Sequence, residues 1–139
     1  LSDQFKVYEG EMNLVQALYL NNAVKPFDDV KVRQALCYAV DKKAVLDFVS
    51  DGKGELLGSS MYPSFSKYFV PELNNTYSQN LDKAKALLKE AGYPDGFTFT
   101  ITVPSNYSQH VDTAQVLAQQ LKQIGVTANI QQVEWNSWL

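Results

Sequence analysis

The chain has 139 residues, 45% of them hydrophobic and 19% charged, an ordinary globular balance that can bury one core. A net charge of −3 argues against the clustered lysines and arginines that a nucleic-acid surface needs. No apolar run approaches a membrane span, no signal peptide is visible, and a single cysteine cannot form an internal disulfide.

Residues 1–10 read as polar and irregular, with a candidate short strand at Phe5–Tyr8. Leu14–Leu20 is rich in apolar residues, ends at Asn21-Asn22, and is read as a buried strand. Asp28 and Asp29 then offer capping oxygens and complementary charge for a helix start. Behind them Val32, Leu36, Ala39 and Val40 recur at helical spacing as a stripe for burial. Cys37, between Leu36 and Tyr38, reads as a small buried hydrophobe rather than a reactive thiol. Asp41 can cap a second helix running to Val49, with its end marked by Gly52 and Gly54. Glu55–Gln79 carries Gly58, Pro63, Pro71 and many Ser, Asn and Tyr residues, and reads as a long irregular excursion of the functional or mobile kind.

Asn80 can cap a third helix whose inner stripe is Leu81, Ala84, Leu87, Leu88 and Ala91, stopped by Gly92 and Pro94. Phe97–Val103 alternates apolar residues with threonine and predicts a strand with two unlike faces. A helix over about Ser108–Ile124 follows, ended by Gly125, and Val126–Glu134 reads as another strand. Strand, helix and strand at this spacing predict a βαβ unit with parallel strands and a right-handed crossover, hence the α/β class.

The order Pro26-Phe27-Asp28-Asp29-Val30, Val32-Arg33-Gln34-Ala35, then Tyr38-Ala39-Val40-Asp41-Lys42, resembles the signature of family 5 extracellular solute-binding proteins. Leu81–Phe97 and Leu117–Trp135, with Ile124-Gly125-Val126 inside the latter, are similar to two further segments of that family in the same order. The resemblance runs from about Leu14 onward. It implies one lobe of a two-lobed periplasmic-binding-protein-like fold, with a mixed sheet and a βαβ unit packed by helices. It also implies that residues 1–139 are a single lobe excised from a larger protein, with 1–13 a hinge or inter-lobe segment. Any export signal or lipid-anchoring cysteine would then lie outside the chain.

In an open α/β sheet, ligands gather beyond the carboxyl ends of the strands. Two such ends are visible: Pro104–Ser108, leading into a helix N-terminus, and Val133–Asn136. Ser105, Asn106, Tyr107, Ser108, His110 and Trp135 are therefore cleft candidates, and the amides of a helix start suit a carboxylate or carbonyl oxygen. Each has a plainer reading as well: Tyr107 and Trp135 as covers over core edges, His110 as an exposed polar residue. Tyr62 joins the candidates because Ser59–Ser64 matches a Pro-rich stretch that approaches the cleft in the family. Many relatives have two adjacent prolines there and this chain has only Pro63, so a solvated loop is the competing reading. Some relatives carry an arginine in the loop matching Pro104–His110 to hold a peptide carboxylate; none occurs here. The acidic residue that holds a peptide's amino group in relatives matches a position beyond Leu139, and neither Asp112 nor Glu134 stands in for it. Arg33 reads as a structural partner within its helix region.

Ser50–Lys53 and Ser64–Lys67 both match Ser-x-x-Lys, but no Ser-Asp-Asn or Lys-Thr-Gly accompanies them. One histidine and one distant cysteine make no metal cluster, and no motif for a cofactor is present. The resemblance thus implies a non-enzymatic protein outside the cytoplasm, periplasmic or a surface lipoprotein. It would capture a small solute, a peptide first of all, by closure of two lobes and deliver it to the permease subunits of an ABC importer. The alternative is a ligand-sensing domain of a transcription regulator that reuses the same lobe.

Overall fold

A computed structural model describes residues 3–139. Helix α1 spans Val30–Ala39, α2 Lys42–Ser50, α3 Leu81–Glu90, α4 Ser108–Lys122 and α5 Trp135–Trp138, with strands β1 at Thr98–Pro104 and β2 at Thr127–Val133. None of these helices is long and apolar enough to cross a membrane.

The first three helices begin as their capping residues require. Asp29 accepts from the Lys31 amide at 2.8 Å, Asp41 from Ala44 at 3.1 Å and Asn80 from Lys83 at 3.0 Å, each satisfying a donor the helix itself leaves free. On α1 the face Val32, Ala35, Leu36 and Ala39 is buried and packs against α3 through Ala84 and Leu88. The alanines keep the two helices close; Leu88, 1% exposed, fills the space between them. Leu121, Ile124 and Val126 extend this core to α4 and the start of β2. Phe27 leads into it from the loop before α1, its ring edge-on to Phe97 at 5.7 Å and Phe99 at 5.1 Å, which ties the helical side to β1. Arg33 is structural, as read from sequence: its guanidinium donates to the Phe27 carbonyl at 2.8 Å.

A second cluster, Ile101, Val103 and Ala114 with Leu18, Phe99, Val111, Ala128 and Ile130 around it, holds α4 on one face of the sheet. Thr98, Thr100, Thr102, Thr127, Asn129 and Gln131 on the other face are exposed. The strands pair in parallel, Thr98 opposite Thr127 through Pro104 opposite Val133, as the βαβ pattern predicts. Gln120 is the one buried polar residue among the described residues: its amide donates to the Asp41 carbonyl and accepts from the Asp41 amide, both at 3.1 Å. That exchange fastens the α1–α2 junction to α4.

Both α3 and α4 end in a left-handed glycine followed by a residue whose amide returns to the helix. Gly92 has φ 93° and Tyr93 donates to Leu88; Gly125 has φ 82° and Val126 donates to Leu121. Gly125 also abuts Gly96, whose φ is 83°, at the foot of the paired strands. A Cβ on Gly96 would overlap the Gly125 carbonyl, and one on Gly125 would lie 2.9 Å from the Asp95 carbonyl oxygen.

Three expectations from sequence are corrected. Phe5–Tyr8 and Leu14–Leu20 form no strand. A strand needs a neighbour to receive its backbone hydrogen bonds, and among the described residues neither segment joins the sheet; Leu14 is 74% exposed, with Leu18 and Leu20 alone reaching the cores. Cys37 is exposed, because it falls off the 32–35–36–39 stripe even though its sequence neighbours are apolar. The excursion over 55–79 is irregular as read, apart from a 3-10 turn at Pro71–Asn75. Of the stretch 1–13 read as inter-lobe, residues 1 and 2 lie outside the described residues. Residues 3–13 are exposed; a Glu9–Lys53 ion pair ties them to the turn after α2, and the Asn13 carbonyl, which accepts from Tyr62 at 2.7 Å, ties them to the excursion.

The glycine contact yields a graded expectation. Gly92→Ala meets no atom within 4 Å and carries only its backbone strain, about 1–2 kcal/mol. Gly96→Ala adds backbone overlap and costs about 3 kcal/mol or more. Urea unfolding of the two variants measures the difference; equal losses would show that the Gly96–Gly125 approach is relaxed at little cost.

Candidate functional site

The carboxyl ends of β1 and β2 lie side by side because Pro104 is the register partner of Val133. Pairing continues one residue further, the Ser105 amide donating to the Val133 carbonyl at 2.8 Å. The two chains then leave by different routes. One turns through Asn106 and Tyr107 into α4, whose start has no side-chain cap. The other turns at Glu134, whose carboxylate accepts from the Asn136 amide at 2.9 Å and so caps α5.

These two turns bring Tyr107 and Trp135 into edge-on contact, ring centroids 5.1 Å apart. His110 stands 5.6 Å from Tyr107. Trp138 stacks on Trp135 at 5.5 Å and 11°, and its indole nitrogen donates to the Thr102 carbonyl at 3.1 Å. Contacts of this kind are worth about 0.5–1.5 kcal/mol each beyond the area they bury. The group keeps a solvent-facing side: Tyr107 is 44% exposed and Trp138 39%, with Trp135 and His110 half-buried. Ser105, Asn106 and Ser108 are exposed on the same turn. From Pro104 to the end of the chain the only lysine or arginine is Lys122, in the last turn of α4. An aromatic surface flanked by backbone amides suits planar and carbonyl-bearing groups.

Of the residues singled out from sequence, the fold thus gathers Ser105, Asn106, Tyr107, Ser108, His110 and Trp135 at one end of the sheet. Tyr62 shares no hydrogen bond or ring contact with them among the described residues. It sits in the excursion, its hydroxyl bonded to the Asn13 carbonyl and its ring 5.4 Å from Phe65. Trp138 was missed, although a tryptophan three residues after Trp135 is one helical turn away. Gln16, which bonds to His110 and Thr113, left no signal, since it meets them across more than ninety residues of chain. A depression of about 540 Å³ lined by Lys25, Asp28, Asp29, Val30, Ala91 and Tyr93 opens instead beside the start of α1 and shares no residue with this aromatic group.

Among the described residues neither Ser-x-x-Lys match hydrogen-bonds its serine to its lysine, and Lys67 lies over the Tyr68 ring. Ser50 Oγ donates to the Leu46 carbonyl at 3.0 Å, and Lys53 pairs with Glu9. Cys37 is exposed, but the protein around it pushes its thiol above the ordinary range, with Lys42 acting weakly the other way. The raised value keeps the thiolate scarce near neutrality.

Comparison with known proteins settles the kinship. The family model described as bacterial extracellular solute-binding proteins, family 5 Middle, matches residues 1–139. The chain belongs to this family. It is 38% identical over 113 residues to the glutathione-binding protein GsiB of Salmonella typhimurium strain LT2, covering 80% of this chain and 21% of that protein. Among solved structures, the binding protein AgaA of A. tumefaciens R10 in complex with agropinic acid superposes with a TM-score of 0.78 at 33% identity, over 84% of this chain and 24% of that one. The dipeptide-binding protein of Pseudoalteromonas sp. SM9913 in complex with Met-Leu gives 0.76 at 34% identity, over 85% and 24%. The chain spans about a fifth of the length of the curated relative it matches. These relatives are transport-associated binding proteins rather than enzymes.

The Cys37 environment gives a pH expectation. Its raised value means that alkylation by iodoacetamide accelerates with pH at a midpoint above that of the same thiol in the urea-unfolded chain. A lower midpoint in the folded state would contradict the assigned surroundings.

Proposed function

We propose that this chain is one lobe of the solute-binding component of an ABC importer, acting outside the cytoplasm, and that peptides are its solutes. Family membership supports the class, and relatives named for glutathione and for a dipeptide support the solute. The observation that carries the placement of the site is the meeting of Tyr107, His110 and Trp135 at the carboxyl ends of two parallel strands.

In this reading the aromatic group forms one wall of a cleft, and the rest of the longer protein supplies the other. Closure over the solute excludes water and strengthens each polar contact made to it. The closed form then docks on the membrane permease. The exposed apolar side chains of the excursion, among them Met61, Phe65 and Tyr68, and those of residues 3–14, meet the remainder of the longer chain. Nothing in the comparisons favours the transcription-regulator alternative.

The test is titration calorimetry on the full-length parent protein with glutathione, Met-Leu and trialanine. One of these binds, and Tyr107→Ala and Trp135→Ala each weaken that binding about tenfold or more, the loss typical of a buried aromatic contact. Binding untouched by either variant would place the solute elsewhere.

A further inference from the structure

Among the described residues the His110 ring makes one hydrogen bond, and its chemistry follows from a neighbour that belongs to a different part of the chain. Thr113 Oγ1 donates its only hydrogen to the Gln109 carbonyl at 2.8 Å. It can therefore only accept from Gln16, whose Nε2 lies 2.7 Å away. The same Nε2 lies 3.2 Å from His110 Nδ1. A nitrogen that carries two hydrogens and no lone pair can serve both contacts only as donor, so Nδ1 must be the acceptor. The ring proton is then on Nε2, and among the described residues Nε2 has no hydrogen-bond partner.

Resting on the site proposed above, we propose that Gln16 is a positioning residue that holds His110 as the Nε2–H tautomer, so that the imidazole offers one donor to an acceptor oxygen of the bound solute, a peptide carbonyl. The neighbouring Tyr107 ring packs against the imidazole at 5.6 Å, tilted by 52°. The arrangement discriminates by type. A solute oxygen is matched, whereas a solute N–H at the same place meets another donor and is rejected. Gln16 belongs to the extended segment before α1, so a residue remote in sequence sets the donor pattern of the first turn of α4.

The experiment uses the full-length parent at pH 8, with nitrogen chemical shifts of His110 read from long-range proton–nitrogen correlation. The His110→Gln variant assigns the signals. Wild type shows a protonated Nε2 and a bare Nδ1. Gln16→Leu mixes the two tautomers, and Gln16→Glu, an acceptor, draws a proton onto Nδ1. Thr113→Val also mixes them, while Thr113→Ser, which keeps the hydroxyl, preserves the wild-type pattern. Calorimetry with the tightest binder among glutathione, Met-Leu and trialanine shows about three- to tenfold weaker binding for Gln16→Glu, the size of one lost hydrogen bond, and at most about twofold for Gln16→Leu, in which a mixture of tautomers leaves about half of the rings competent. A proton on Nδ1 in wild type overturns the proposal. So does unchanged affinity in Gln16→Glu while Tyr107→Ala and Trp135→Ala still weaken binding, and in that case the site stands. If those two aromatic variants bind as wild type, the site itself is wrong and the role of His110 falls with it.

Discussion

The near-contact of Gly96 and Gly125 is the constraint on which the rest of the fold depends. Both residues hold positive φ, and neither has room for a side chain. One ends the turn before β1 and the other ends α4, so their approach sets both strands off from the same level. The Thr127 amide reaches the Phe97 carbonyl at 2.8 Å directly above them, and the register from Thr98–Thr127 to Pro104–Val133 follows. Strands of equal length that start level also finish level. Tyr107 and Trp135, nearly thirty residues apart in sequence, meet because of this and because one residue of extra pairing at Ser105 keeps the two chains together past the strand ends.

The helical side of the molecule supports that arrangement from below. Phe27, held at the entrance to α1, packs edge-on against Phe97 and Phe99 and so couples the α1–α3 pair to β1. Gln120 couples α4 to the α1–α2 junction by exchanging hydrogen bonds with the backbone of Asp41. Removing either partner of such a buried exchange leaves polar groups unsatisfied, at about 1–3 kcal/mol. The aromatic end of the sheet is thus mounted on a rigid base, while the excursion over 55–79 is irregular and largely exposed. A site that must present fixed donors and ring faces gains from that division.

Much of this was legible in the sequence where the signal is local. Asp29, Asp41 and Asn80 announce helix starts by chemistry that acts within three residues, and Gly92 and Gly125 announce helix ends. The alternation of threonine with Phe99, Ile101 and Val103 gives the two-faced strand. Signals that depend on partners failed. Leu14–Leu20 has strand composition without a strand beside it, and Cys37 has apolar neighbours in sequence but points away from the buried stripe. At the candidate site the strand-end rule located Tyr107, His110 and Trp135. Gln16 could not be found, because nothing in its own neighbourhood marks a glutamine that will bond to His110 and Thr113.

The aromatic group offers ring faces, backbone amides and one imidazole donor, and that chemistry suits a peptide's carbonyls and side chains. The most direct test is a crystal structure of the full-length parent protein with its solute bound. The account predicts solute atoms within van der Waals contact of Tyr107 and Trp135 at the carboxyl ends of β1 and β2. A solute bound elsewhere, with this aromatic group packed against protein on all sides, would contradict it.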